Sequence, residues 1–283
     1  MTVRVVTDST ADLPPALALE MGITVVPLNV HFGDEVFTDG VTIHADEFYQ
    51  RLVSSSNLPK TSQPAIGAFL ETYQQLLTSA DGIVSMHISS QVSGTVNAAQ
   101  LAVSELGSNS IVVVDTLQAS LALGLIAVAA AKVTQNGGSL SEVVAEAQSA
   151  SQRARFFGLV ETLEYLEKGG RIGKAQALLG SLLRIKPILT LREGIAHPVE
   201  KVRTRAKGLE RIAAIAAELV PLEAIGVMSS DVAEESKLIV DALTKHIHGS
   251  APVVSRFGPI LGTYLGPGSL GVAVLRAKGL DEQ

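Results

Sequence analysis

The chain is expected to be α/β. Two α/β units follow one another, the first with a largely parallel sheet flanked by helices, the second with a mixed sheet. Three observations carry this. Short apolar runs alternate with helical patterns through the first half, as in repeated βα units. The second half breaks the alternation with two strand-like runs paired around the turn Arg192-Glu193-Gly194. Hydrophobic residues make up 47% of 283 while aromatics are only 4%, so a large core must be built from Val, Ile, Leu and Ala.

In chain order, residues 3–6 read as the first strand. Asp12-Leu13-Pro14-Pro15 then opens a helix, with Asp12 as its N-cap and proline in its first turn. A second strand is expected at 23–27 and a hairpin over 31–39, turning at Gly33-Asp34. Helices follow at 45–54 and 66–78. Strands at 82–88 and 111–114 flank a helix over 96–106. The most apolar segment, 117–133, is Ala-rich, contains Gly124 and falls at or below the ~20 residues that span a bilayer. It reads as a buried core helix, and no transmembrane segment is expected.

The second half begins with a strand at 155–161 and a short helix at 164–168, ended by Gly169-Gly170. A small-residue helix is expected at 175–184. Strands at 188–191 and 195–202 precede a helix at 206–220, a strand at 224–228, a helix at 234–245 and a strand at 252–257. The glycine-rich stretch 258–268 leads to a last strand at 270–275. The boundary between units is placed near 155, giving 1–155 and 156–283.

Composition excludes several functions. The net charge of −6 argues against a nucleic-acid surface. With no cysteine, disulfides, thiolate catalysis and thiolate metal sites are impossible. The six histidines are scattered, and His246 with His248 fits no usual ligand spacing. No Walker loop is present, and no metal or cofactor is expected. Met1 leads directly into a strand-like run without a basic leader, so a cytoplasmic protein is the default expectation.

The segment most suggestive of chemistry is Ser89-Ser90-Gln91-Val92-Ser93-Gly94-Thr95. It lies where a strand ends and a helix begins, which is where backbone N–H groups and the positive end of a helix dipole meet an anion. Ser93 can also be read as a nucleophile. However, Gln91 stands where the first glycine of the hydrolase elbow belongs, and a base near in sequence, such as His87, must also be near in space. Lys60-Thr61-Ser62-Gln63-Pro64 likewise puts hydroxyls ahead of a helix, a pattern that ordinary capping also explains. Asp8-Ser9-Thr10 follows the first strand and either faces a crevice or closes a turn. Lys168-Gly169-Gly170-Arg171 displays a guanidinium on a glycine turn, and Lys201, Arg203, Arg205, Lys207 and Arg211 form a basic run in an acidic chain. Thr263 and Tyr264 sit in the densest glycine segment.

Taken together, these segments resemble the DegV family of bacterial fatty-acid-binding proteins over nearly the whole chain. The marks are D-S-T-A-D-L at 8–13, D-G at 39–40, T-S-Q-P at 61–64, S-S-x-x-S-G-T at 89–95, L-E-Y-L-x-K-G-G-R-I at 163–172, K-P-I-L at 186–189 and G-T-x-x-G-P-G-x-L-G at 262–271. Each is modest alone; their order and spacing are specific.

The resemblance implies two α/β domains with a long-chain fatty acid between them, its tail in an apolar tunnel. It implies that Thr61 and Ser93 hydrogen-bond the carboxylate, with Gly94, Thr95 and Tyr264 beside them and with Ser62, Ser9 and Thr263 as further crevice-lining candidates. It implies a partner, a separate fatty acid kinase that phosphorylates the bound acid, with Arg171 and Arg203 facing it. Where many members have histidine after G-T, this chain has Tyr264. Tyrosine is a neutral donor at pH 7, so a carboxylate site of neutral hydrogen bonds is expected. The competing reading is a serine-dependent hydrolase acting through Ser93 on a lipid or small ester.

Overall fold

The structure, a computed structural model, describes residues 2–55, 57–179, 185–231, 233–247 and 251–279. β1 (Val3–Asp8) is followed by a 3₁₀ turn, Ser9–Ala11, and by α1 (Pro15–Glu20). β2 (Ile23–Val26) returns parallel to β1. β3 (Asn29–Phe32) and β4 (Glu35–Thr38) form a hairpin whose turn holds Gly33 at φ 61, a conformation that suits glycine. Then come α2 (Ala45–Ser54), β5 (Lys60–Ser62), α3 (Ile66–Leu77), β6 (Gly82–His87), α4 (Thr95–Leu106) and β7 (Ile111–Asp115). The main sheet runs β2-β1-β6-β7 with every pair parallel, and β4-β3-β5 is a small antiparallel sheet. β6 is buried along its whole length, as a parallel sheet covered on both faces requires.

Two helices lie between this sheet and the next. In α5 (Ser120–Gln135) every residue from Ser120 to Ala131 is buried. A helix apolar all round must be covered all round. It packs against β1 on one side and against the second sheet on the other. Its small residues permit that approach: a Cβ on Gly124 would stand 2.7 Å from the Ala11 carbonyl. α6 (Leu140–Arg153) starts at a capping box between Ser139 and Glu142. One apolar cluster runs through α5 into both sheets.

The second sheet is built from β8 (Ala154–Leu159), α7 (Glu164–Lys168), β9 (Lys186–Arg192), β10 (Ile195–Val202), α8 (Arg205–Ala217), β11 (Leu222–Ser229), α9 (Ala233–Leu243), β12 (Val253–Arg256), α10 (Pro259–Leu265) and β13 (Leu270–Arg276). Its order is β10-β9-β8-β13-β11-β12. Only β11 and β12 pair in parallel, so the sheet is mixed as expected. Among the described residues no helix is long and apolar enough to cross a membrane.

Several local expectations are corrected. Asp12 is not a helix N-cap. It ends the 3₁₀ turn at φ 50, and α1 begins at Pro15 behind Pro14. Lys60–Ser62 is a strand, and Ala65 before α3 makes no side-chain cap, so Thr61 and Ser62 are not capping residues. In place of a helix from 175, a 3₁₀ turn spans Gly173–Leu178; residues 180–184 lie outside the described residues, as does His248. The glycine-rich stretch contains α10. A Cβ on Gly262 would stand 2.6 Å from the Phe48 ring and 2.7 Å from the Tyr49 hydroxyl, so that glycine serves close helix packing. Helix α6 was not anticipated, although Ser139-x-x-Glu142 is its signature.

Candidate functional site

From β1 the chain moves to β2 on one side, and β6 joins on the other. Their carboxyl ends therefore border a topological switch point, where open parallel sheets hold ligands. The loop after β6 carries Ile88, Val92, Ser93 and Gly94 into a cavity between the two sheets. Its walls are apolar: Leu28, Ile88, Ala119, Phe156, Leu189, Leu191, Ile260, Leu261 and Leu265 contribute from both halves of the chain. Its polar groups are few, namely Thr61, Ser62, Gln63, Ser93, Thr190, Arg171 and Tyr264. Thr190 bonds the Phe156 carbonyl, so its hydroxyl is spent on the sheet.

Each polar group is placed by a different element. Thr61 sits on β5, held by pairing with Val30 of β3. Tyr264 sits on α10. Their hydroxyl oxygens lie 2.6 Å apart. Ser62 Oγ lies 2.9 Å from His31 Nε2 across the same small sheet. Ser93 Oγ lies 2.8 Å from Thr95 Oγ1, and Gly94, without a side-chain cap, leads into α4. The Gln63 amide packs directly over Gly94, where a Cβ would come within 2.5 Å of Gln63 Oε1. Glycine here opens space for a neighbouring side chain, not for an unusual φ.

Arg171 completes the rim. Its guanidinium carbon lies 5.2 Å from the centre of the Tyr264 ring, and it donates to the carbonyls of Val92 at 3.2 Å and Gly169 at 2.9 Å. A Cβ on Gly169 would stand 2.5 Å from the Tyr264 ring, so the glycine turn lets that ring seat. Arg171 is exposed yet lines the cavity. Among the described residues that line the cavity, Arg171 is the one cation beside neutral donors, an addition to the neutral site expected from the sequence.

Two hydroxyl pairs serve this cavity: Thr61 with Tyr264, both lining it, and Ser93, which lines it, with the buried Thr95. A hydroxyl pair has two protons and uses one internally, which leaves one per pair for a third group. The helix dipole of α4 and the Arg171 charge add attraction for an anion. Chemically, the arrangement suits an amphiphile with an anionic oxygen head and an apolar tail.

Other candidates fall elsewhere. Thr263 donates to the Pro259 carbonyl within α10. Ser9 accepts from the Leu28 N–H and lines a separate cleft with Asp8, Asp12 and Asp39. Thr95 is buried behind Ser93. Arg203 is exposed just before α8 and does not line the cavity. In the basic run, Arg205 pairs with Glu161 and Glu235, Lys207 with Glu210 and Arg211 with Glu200. The cavity role of Gln63 was missed; its place inside T-S-Q-P was the available signal.

His87 is fully buried and is not the base for Ser93. Its Nδ1 lies 3.0 Å from Asp8 Oδ2, and its Nε2 lies 2.7 Å from Ser85 Oγ. Burial pushes the Tyr73 phenol up, with its bond to Ser85 opposing, so Tyr73 stays protonated and donates to Ser85 at 2.8 Å. Ser85 thus bridges Tyr73 and His87, and His87 bridges Ser85 and Asp8. Asp8 also accepts from the Ile88 N–H at 3.1 Å and from Thr10. This chain of bonds pins the ends of β1 and β6 together and fixes the start of the Ser93 loop.

Residues 2–277 match the family profile described as "Uncharacterised protein, DegV family". A DegV domain-containing protein of Streptomyces coelicolor is 40% identical over 277 residues, covering 96% of this chain and 98% of that protein. A solved structure described as fatty acid binding of a DegV family protein from Thermus thermophilus superposes with a TM-score of 0.88 at 35% identity, covering 97% of this chain and 99% of the other. Bacillus subtilis DegV, described as a fatty acid binding protein, superposes with a TM-score of 0.86 at 34% identity, with 97% and 99% coverage. A whole-chain family match, a relative at this identity and the same fold leave one assignment: the chain belongs to the DegV family.

Proposed function

We propose that this protein is a carrier for a long-chain fatty acid. The acyl tail occupies the apolar cavity between the sheets. The carboxylate accepts hydrogen bonds from the spare O–H groups of the Thr61–Tyr264 and Ser93–Thr95 pairs, with Gly94 and Gln63 closing round it and Arg171 at the mouth. The observation that supports this most is that Thr61, Tyr264 and Ser93 bring hydroxyls from three elements into one cavity with mostly apolar walls. The fatty acids named for the Thermus and Bacillus relatives agree with it.

The energetics divide the labour. Burying about 15 methylenes contributes at most roughly 12 kcal/mol at ~0.8 each. Ordering a flexible tail offsets much of that. Each hydrogen bond to the charged head adds about 1.5–3 kcal/mol. The tail therefore sets affinity, and the rim sets orientation.

The second half of the proposal is that a separate fatty acid kinase phosphorylates the acid while this protein presents it. Carboxylate oxygen attacks the terminal phosphorus of a nucleoside triphosphate, the diphosphate leaves, and an acyl phosphate remains. Arg171 and Arg203, both exposed, are the candidate kinase-facing residues.

Native mass spectrometry of the protein purified from a bacterial host tests the first half. A co-purifying fatty acid of defined mass is expected. An empty protein that hydrolyses an ester, and loses that activity in Ser93→Ala, would replace the carrier reading with the hydrolase. Incubating the loaded protein with a fatty acid kinase and labelled triphosphate tests the second half. Absence of label in the bound acid would remove the kinase role and leave the carrier.

A further inference from the structure

Two of the sequence motifs have no part in the cavity: Asp8 to Leu13, and Asp39-Gly40. They meet at the joint between β12 and α10. Asp12 Oδ1 accepts the Gly258 N–H at 2.9 Å, and Oδ2 accepts the Ser120 hydroxyl at 2.6 Å. The Asp12 carbonyl accepts the Ser255 hydroxyl. One aspartate thus ties the loop after β1 to the start of α5 and to both sides of the joint.

Asp39 lies against the same point. A Cβ on Gly258 would stand 3.2 Å from Asp12 Oδ1, and 3.4 and 3.5 Å from the two carboxyl oxygens of Asp39. Both residues are buried, at 7% and 6% exposure, and Asp39 Oδ2 has no hydrogen-bond partner. Two carboxyls this dry, both facing one glycine, cannot both be charged at low cost. Burial above all raises both acids. Asp39 also feels the Asp8 charge while bonding Ser9, and rises to about 7. Asp12 rises well above its usual range against its bonds to Ser120 and Gly258, with Asp39 and Asp8 adding to the rise.

The surrounding charges do not cancel the pair. Asp8, at the end of β1, is bonded to Thr10, His87 and Ile88. Arg256 on β12 is held by Asp46 and the Ser230 carbonyl. Asp231, after β11, accepts from Ser230 and from the Gly268 N–H. Tyr49 on α2 donates to the Phe257 carbonyl, and burial keeps its phenol protonated. His44, at the head of α2, is exposed on the rim of the adjoining cleft.

The joint matters because α10 starts one residue later. That seven-residue helix carries Ile260, Leu261, Tyr264 and Leu265 of the cavity wall. We propose that Asp12 and Asp39 form a proton-controlled clasp on the β12–α10 joint. With Asp39 protonated beside Gly258, α10 is seated on the cavity; with Asp39 charged and unpartnered in that dry site, the strain loosens the joint and with it the wall that carries Tyr264. The consequence for retention rests on the cavity being the fatty-acid site. Asp39 titrates near neutrality, so a bound acid is held more tightly below that point and released more readily above it.

The test compares wild type with Asp39→Asn, whose amide mimics the protonated carboxyl. The dissociation constant of cis-parinaric acid is measured for both from about pH 6 to about pH 8.5, where linkage to Asp39 is expected to act. The wild-type-to-variant ratio cancels the titration of the ligand itself. That ratio is expected to rise about tenfold with pH, the equivalent of one pKa unit of coupling. A ratio that does not change with pH overturns the clasp.

A ligand-free readout separates this from failure of the fatty-acid reading. Amide exchange over residues 258–265, corrected for intrinsic rates, is expected to accelerate with pH in wild type and not in the variant. If neither protein binds cis-parinaric acid at any pH, the ligand reading fails and exchange alone decides the clasp. If Asp39→Asn does not fold, carboxyl-carbon NMR of wild type decides it. An Asp39 midpoint below about pH 5, near the ordinary carboxylate range, overturns the proposal.

Discussion

Thr61 Oγ1 and Tyr264 OH are 2.6 Å apart although 203 residues separate them in the chain. This bond joins β5 to α10 across the mouth of the cavity. It makes the two hydroxyls one unit with a single spare proton. Thr61→Val and Tyr264→Phe each remove a hydroxyl with little change of shape. Each is expected to lower fatty-acid affinity by about 1.5–3 kcal/mol, the worth of a hydrogen bond to a charged group. The double variant is expected to lose less than the sum of the two. Strict additivity in the cycle, measured by calorimetry, would show that the residues act independently.

Ser93→Ala separates holding from presenting. The tail supplies most of the affinity, so total lipid uptake is expected to weaken by no more than the worth of one hydrogen bond to a charged group, about 1.5–3 kcal/mol. Phosphorylation of the bound acid by a fatty acid kinase is expected to fall more, because the carboxylate loses an orienting donor. Equal losses in the two assays would contradict this division.

Gly94→Ala places a methyl where the Gln63 amide now sits, within 2.5 Å of its oxygen. Gln63 is a side chain that can swing away, so thermal stability is expected to change by less than about 1 kcal/mol. Affinity is expected to fall, because the displaced amide no longer closes over the carboxylate. Gly194→Ala is the contrasting case. Its φ is +79, and its methyl would stand 2.2 Å from Ser89 Oγ, which donates to the Gly194 carbonyl at 2.9 Å. Strain and the lost contact are expected to cost about 1–3 kcal/mol of stability, read from denaturant midpoints.

The pH dependence of stability has a defined sign at Asp39. Its carboxyl rises from the usual range to about 7 on folding, so the folded state binds the extra proton. The Asp39 contribution to stability is therefore greatest below about pH 4, falls as pH climbs towards 7, and levels above it. Asp39→Asn removes the titration. It is expected to stabilise the protein at about pH 8 by up to about 4 kcal/mol and to change little at about pH 4. A variant less stable than wild type at both ends, by thermal unfolding, would place the carboxylate among the stabilising groups. Once the titration of the ligand itself is allowed for, fatty-acid affinity in the same variant is expected to change little from about pH 5.5 to about pH 8, because the site's donors are hydroxyls and a guanidinium.

Much of the element order was legible because strands and helices write local patterns. β6 is a mostly apolar run buried along its length, α2 has its expected ends, and the turn at Gly33 between β3 and β4 has the residues a hairpin needs. What misled was chemistry with two uses. Thr61 and Ser62 ahead of Pro64 look like caps, yet they are ladder residues, because β3 supplies a partner strand. Asp12 before two prolines looks like an N-cap, yet its carboxylate is claimed by Ser120 and Gly258. The glycines at 258, 262 and 266 look like a loop. In fact they flank and pack α10, because Gly262 meets Phe48 and Tyr49.

By itself the sequence determined the α/β class, the aliphatic core, the buried character of α5 and the hydroxyl-bearing loop ahead of α4. Each of these follows from hydrophobic periodicity or from residue chemistry within a short stretch. Tertiary structure alone decided which groups meet. It set Thr61 against Tyr264, Gln63 over Gly94, His87 between Asp8 and Ser85, and Asp12 with Asp39 on Gly258. Such meetings depend on how two sheets close on α5, and burial then changes what the groups can do. An aspartate that would be an ordinary charged surface residue in an open loop becomes, at 6% exposure beside another carboxyl, a group that titrates near neutrality.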